Sequence, residues 1–168
     1  MRIVRPVTLD DLPVILDILN REIREGIAHF GTEPLTIEDL AREFANATAY
    51  PWFAAIHYES LVGFARANPW KSRGGYAKTC EVGLYVEPET QGQGVGVALY
   101  EQLLPSLQCL GFKTLLGGIA LPNPASVRLH EKFGFSHVGT LPQVGWKFGA
   151  WRDVGYWALV FPDAPRAP

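Results

Sequence analysis

A chain of 168 residues, 48% hydrophobic and 19% charged, is long enough to bury its own core and too apolar to be disordered. A formal net charge of -2 provides no basic surface for nucleic acid or an anionic membrane, and no apolar run approaches a membrane span. The start MRIVRPVTLDD has no secretory h-region, and Cys80 and Cys109 read as buried reduced thiols, so a cytoplasmic protein is expected.

Residues 2–6 form an apolar-rich strand candidate. Thr8 reads as a helix N-cap, with Asp10 and Asp11 in the first turn where the dipole favours acids. Leu12, Ile15, Leu16, Ile18 and Leu19 follow at helical spacing toward Glu25, and Gly26 is the expected stop. Residues 27–35 read as a loop, and Thr36 with Asp39 approximates the capping box of a second helix. Residues 50–57 and 61–68 read as a hairpin turning at 58–60, and 69–76 as a polar connection. A central strand follows at 79–86, then a helix to about Leu110 that Pro105 is expected to bend or break. Residues 113–120 read as a strand and 125–133 as a short helix, with Gly134 at its C′ position. Two last strands are expected near 135–141 and 154–161, separated by a loop over 142–153, and 162–168 as a frayed tail. The result is one domain over 1–161, an α/β (α+β) fold with a mixed sheet and helices on both faces. Antiparallel hairpins before the glycines, and the absence of G-x-G-x-x-G, argue against a doubly wound dinucleotide fold.

The most telling stretch is the end of the central strand with Gln91-Gly92-Gln93-Gly94-Val95-Gly96 before the next helix. Its glycines leave backbone amides open at a helix N-terminus, a site for a diphosphate. Five Trp, six Tyr and nine Phe either fill the core or line a pocket for a small amphipathic molecule.

Gln91-x-x-Gly94-x-Gly96 between strand and helix resembles the acetyl-CoA pyrophosphate loop of the GNAT N-acetyltransferases. Asn123 with Ser126, Val127, His130 and Phe133-Gly134-Phe135 resembles that family's later cofactor segment. Tyr50-Pro51-Trp52, Pro69-Trp70-Lys71-Ser72-Arg73, Gly145-Trp146-Lys147-Phe148-Gly149 and Trp151-Arg152-Asp153-Val154-Gly155 resemble its phosphinothricin and methionine sulfoximine acetyltransferase group, so that the likeness spans residues 30–161. It implies a GNAT fold with a mostly antiparallel sheet, acetyl-CoA as cosubstrate, a small-molecule amine as acceptor, and a homodimer. It further implies that Leu84, Tyr85 and Val86 pair with the pantetheine arm and that Gln91, Gly92, Gln93, Gly94, Val95 and Gly96 hold the diphosphate, with Asn123 a further cofactor contact. Glu81 matches the group's general base, and Arg73 and Tyr76 match positions contacting an anionic amino acid. Thr32-Glu33-Pro34 fits the group's pattern, but Gly31 stands where its herbicide-detoxifying members carry an arginine.

Acetylating an amine requires removing an ammonium proton, stabilising an oxyanion and protonating a leaving thiolate. Glu81 lies in an otherwise apolar strand, where desolvation favours proton uptake; it is either this base, directly or through a water, or a solvated edge-strand glutamate. His130 either aids proton movement near the thioester or is a helix histidine bonded to backbone. His29, His57 and His137 stand singly, so no metal site is expected. Arg73 suits a carboxylate or phosphinate bidentately and Tyr76 adds a hydrogen bond, unless both are ordinary solvated loop residues. Phe30, Trp70, Tyr76 and Trp146 either wall an acceptor pocket or pack a core. Nothing basic adjoins Cys80 to activate it as an acyl relay. The expected reaction is direct acetyl transfer to the α-amine of a small acidic amino acid or analogue. The alternatives are a polyamine or protein N-terminus as acceptor, or a non-catalytic acyl-CoA sensor.

Overall fold

In a computed structural model, which describes residues 2–162, seven strands form a single sheet whose order follows the chain except at the end, where the last strand lies between the fifth and the sixth. Six of the expected elements begin the chain: β1 (Arg2–Pro6), α1 (Leu12–Glu25), α2 (Ile37–Phe44), β2 (Trp52–His57), β3 (Ser60–Pro69) and β4 (Thr79–Val86). Then come α3 (Val95–Cys109), β5 (Thr114–Ala120), α4 (Pro124–Lys132), β6 (Ser136–Lys147) and β7 (Ala150–Val160). All neighbouring strands run antiparallel except β4 and β5. The tail expected to fray lies, from residue 163 on, outside the described residues.

Period-two alternation divides the core between the two faces of the sheet. Ile15 and Leu19 of α1, Leu40 of α2, Trp52, Ala54 and Phe64 pack on one face. Leu99, Tyr100, Leu103 and Leu107 of α3 pack on the other with Ala55, Ala65, Cys80 and Leu115. The chain enters α1 through a turn over Leu9–Asp11, where the Asp11 carboxylate accepts from the Thr8 N–H at 2.8 Å and from both Arg5 guanidinium nitrogens at 2.7 and 2.8 Å. At α2, Thr36 accepts from the Asp39 N–H at 3.1 Å, completing the expected capping box.

Three expectations need correction. Pro105 neither ends nor interrupts α3. Proline there removes one helix hydrogen bond, but its own side chain is exposed while Leu103, Leu104 and Leu107 stay buried and hold the turn. The loop expected over 142–153 is instead the arm of a long hairpin, with β6 paired to β7 as far as Lys147↔Ala150. Pro142 and Gly145 suggest a loop, but the register shift between Leu141 and Gly145 accommodates them on an edge strand. Cys109, unlike Cys80, is exposed at the end of α3.

The parallel pairing of β4 and β5 is short. It covers Thr79↔Thr114, Cys80↔Leu115 and Glu81↔Leu116 and then stops. Beyond that point β4 continues against β3 to Val86, and β5 continues against β7 to Ala120. The two strands therefore diverge, and the β4 edge past Glu81 has no strand partner.

Candidate active site

Two cavities open at this divergence. The first, about 680 Å³, runs along the free edge of β4 to the start of α3 and to α4. The second, about 460 Å³, lies between the loop after α1 and strands β3, β4, β6 and β7. Val82, Gly83, Tyr85, Gly118 and Ala120 line both, so the two spaces meet where β4 and β5 separate.

The first cavity collects most of the expected cofactor residues: Leu84, Tyr85, Val86, Gln91, Gly92, Gly94, Val95, Gly96 and Asn123. Gln93 does not line it and turns its amide to the Glu89 carbonyl at 2.9 Å. Gly92 and Gly94 take φ of +72° and +82°, the left-handed region that glycine enters without strain. A Cβ at Gly92 would meet nothing within 4 Å, so a ligand can approach that backbone closely. Gly96 has another role, because a Cβ there would reach Leu129 at 3.0 Å and Leu84 at 3.5 Å. It lets α3 pack near β4 and α4. Gln91 donates to the Val86 carbonyl at 3.2 Å, and Asn123 caps α4 by accepting from the Ser126 N–H at 3.1 Å. First-turn amides of a helix have no intrahelical acceptors. An unpaired strand edge leading to such a helix start fits the pantetheine arm and diphosphate of acetyl-CoA.

Glu81 lines the second cavity beside Gly118, which borders both, and is half-buried, with no hydrogen-bond partner for its carboxylate among the described residues. Burial raises its pKa above the ordinary carboxylate range, and the nearby Lys71 charge opposes that shift. Gly118 on β5 makes room for it, since a Cβ there would lie 2.7 Å from Glu81 Oε1 and 3.3 Å from the Tyr156 ring. Burial and the Glu81 charge both push the Tyr156 phenol up.

His130 makes the backbone bond that its structural reading expects. It is 4% exposed, its Nδ1 lies 2.8 Å from the Ser126 carbonyl oxygen, and its Nε2 lies 2.9 Å from the Tyr100 hydroxyl. A carbonyl only accepts, so Nδ1 carries the proton and Nε2 accepts from Tyr100. Desolvation lowers its pKa, and both nitrogens are engaged. Although His130 borders the first cavity, it has neither a vacant lone pair nor a free proton to offer there.

Of the expected acceptor residues, Phe30 lines the second cavity, whereas Thr32, Trp70, Arg73 and Tyr76 do not. Thr32, Arg73 and Tyr76 are exposed, and Trp70 and Tyr76 pack edge to face at 5.0 Å on the connecting loop. Among the walls that the sequence did not assign to an acceptor, the polar side chains besides Glu81 and Tyr85 are His29, Arg66, Asn68 and Tyr156. Arg66 carried a legible signal, being the one charged residue within the apolar stretch LVGFARAN, as Glu81 is in the next strand. His29 Nδ1 accepts from the Gly31 N–H at 2.9 Å, so Nε2 holds the proton in the neutral ring; burial and then the Arg66 charge lower its pKa. The buried Lys147 ammonium donates to the carbonyls of Glu22 and His29, fastening this loop to the β6–β7 hairpin. Burial pushes the Cys80 thiol up to about 12, which makes it inert as a nucleophile. Among the described residues no group of three or more His, Cys, Asp or Glu could hold a metal ion, and no helix is long and apolar enough to cross a membrane.

The profile described as "Acetyltransferase (GNAT) family" matches residues 15–135. The chain is 41% identical over 169 residues to a phosphinothricin N-acetyltransferase of Streptomyces viridochromogenes, covering 97% of this chain and 91% of the relative. It is 30% identical over 168 residues to an L-methionine sulfoximine/L-methionine sulfone acetyltransferase of Pseudomonas aeruginosa, covering 98% of both. Its fold matches the crystal structure of a phosphinothricin acetyltransferase from Sinorhizobium meliloti in complex with acetyl-CoA at a TM-score of 0.93 and 26% identity, over 99% of this chain and 92% of the other.

Proposed function

This chain belongs to the acetyltransferase (GNAT) family and is an acetyl-CoA-dependent acyltransferase; we propose that it acetylates the α-amine of a small acidic amino acid or analogue, of the phosphinothricin and methionine sulfoximine kind, with Glu81 as general base. The observation that carries this reading is a half-buried carboxylate with no hydrogen-bond partner among the described residues in the second cavity, beside the Gly118 that both cavities share. The names borne by the Streptomyces and Pseudomonas relatives support the acceptor class.

When bound, acetyl-CoA supplies the acetyl group as a thioester. The free edge of β4 and the first turn of α3 bind and orient it, and Asn123 and Gln91 shape the same wall. In the second cavity, Glu81 removes the ammonium proton that blocks the acceptor's lone pair, and a raised pKa makes it a better base for that task. The neutral nitrogen then forms the N–C bond as the C–S bond breaks. The surplus proton it still carries passes to the departing thiolate, which leaves as the CoA thiol, and the proton held by Glu81 is returned to solvent. Approach from opposite sides of the divergence makes direct transfer feasible without an acyl-enzyme, consistent with the inert Cys80.

The test is thiol release from acetyl-CoA, followed with a chromogenic disulfide reagent over a panel of amines. Saturable turnover is expected on phosphinothricin and on methionine sulfoximine and sulfone. Turnover confined to polyamines or a peptide N-terminus would refute the acceptor class and leave the family standing.

A further inference from the structure

We propose that Arg66 selects the acceptor, its guanidinium binding the oxygens at the end of the amino-acid side chain while the α-amine stands at Glu81. This rests on the acetyltransferase reading above and adds the group that decides among acceptors. Pairing of β3 with β4 sets Phe64 opposite Tyr85, Arg66 opposite Gly83 and Asn68 opposite Glu81. Residues two apart on a strand share a face, so the base and the position facing Arg66 stand about 7 Å apart along β4. Gly83 puts no side chain there, and a Cβ on it would meet nothing within 4 Å. The space over Gly83 is thus open, and Arg66 is part of the wall of the same cavity.

Arg66 is only 7% exposed. Its Nη1 pairs with Glu43 on α2, and its guanidinium lies over the Trp52 ring at 5.0 Å, two contacts that fix its plane. Nε and Nη2 have no hydrogen-bond partner among the described residues. A buried arginine with donors left over is a receptor for paired oxygens, because its planar fork meets two acceptors at once. Among the described residues lining this cavity, Arg66 is the only arginine or lysine and Glu81 the only carboxylate. The exposed Arg73 lies on the connecting loop and outside that lining. The loop after α1 has no arginine or lysine of its own at Gly31, and Lys147 and Lys71, whose charges reach His29 and Glu81, lie outside the lining.

Three acceptors with nearly the same side-chain shape separate the roles: L-phosphinothricin with an anionic phosphinate, L-methionine sulfone with neutral oxygens, and L-methionine with neither. For Arg66→Gln, kcat/KM is expected to fall on the order of 100-fold for phosphinothricin and about tenfold for the sulfone, mainly through KM, and least for methionine. Arg66→Lys should recover part of the phosphinothricin loss. If thermal unfolding shows Arg66→Gln misfolded, the double variant Arg66→Gln/Glu43→Gln removes both charges of the pair and is read on the same scale. Equal losses on all three acceptors would overturn the proposal, reducing Arg66 to a support for α2. A phosphinothricin loss in Arg73→Gln with none in Arg66→Gln would also overturn it. Failure of the acceptor class itself is distinguishable, since it appears in the unsubstituted enzyme as silence on all three amino acids with polyamines or peptide acetylated.

Discussion

Gly117 and Gly118 are neighbours on β5 and face opposite sides of the sheet. A Cβ at Gly117 would come within 2.4 Å of His130 Nε2, and one at Gly118 within 2.7 Å of Glu81 Oε1. Each glycine thus makes room for a titratable group, yet the two groups are left in different states. On one side His130 is closed off by Tyr100 and the Ser126 carbonyl, and burial keeps it neutral. On the other, Glu81 faces the cavity with no hydrogen-bond partner, and burial makes it readier to take a proton. Burial and a shifted pKa are common to both. What separates the two is hydrogen-bonding capacity, filled at His130 and left open at Glu81.

The largest expected effect is on the cavity side. Glu81→Gln should lower kcat/KM by roughly 100- to 10,000-fold near neutral pH, as loss of a general base does. Wild-type activity should fall as pH drops through the raised Glu81 pKa, because the base must be deprotonated, and the variant should lose that limb. A pH–rate profile checks both, and an unaltered limb would assign the base elsewhere. Gly118→Ala should displace the same carboxylate, lowering kcat by about 100-fold for a misplacement near 1 Å. Its melting temperature should move less than its activity, since the Glu81 carboxylate is the end of a side chain that can swing aside and the Tyr156 ring, 3.3 Å from the added Cβ, need give by only a few tenths of an ångström.

The opposite face should answer in stability. Gly117→Ala forces a buried imidazole to shift and should cost about 1–3 kcal/mol, read by denaturant unfolding. A larger loss of kcat than of stability would break the contrast between the faces. The smallest effect concerns pH. A histidine whose folded pKa is depressed contributes stability that is present above its unfolded value of about 6.5 and is lost as pH falls toward the folded value. Thermal unfolding between pH 7 and 5 should therefore show a decline that is shallower in His130→Gln, although that variant starts from lower stability.

The element order was legible because its signals are local: a capping box at Thr36, helical spacing from Leu12 to Leu19, and glycines after β4. Where local and tertiary preferences conflict, the sequence misleads. Pro142 and Gly145 favour a loop, but pairing with β7 extends β6 through them. Glu81 could be found as the lone charge of an apolar strand, and the same test applied to LVGFARAN points at Arg66. His130 could not be resolved that way, since its two readings differ only in what its nitrogens touch.

By itself, then, the sequence determined the helices and all the strands but the long last hairpin, together with the glycine loop and the lone carboxylate of β4, each encoded within a few consecutive residues. Which of those residues share a space was decided by the tertiary structure. β4 and β5 part after three paired residues, so groups from β3, β4, β7 and the loop after α1 converge on one cavity while Arg73 and Tyr76 remain outside it. Register and strand divergence are relations between distant segments, and they depend on how two cores pack on opposite faces of one sheet.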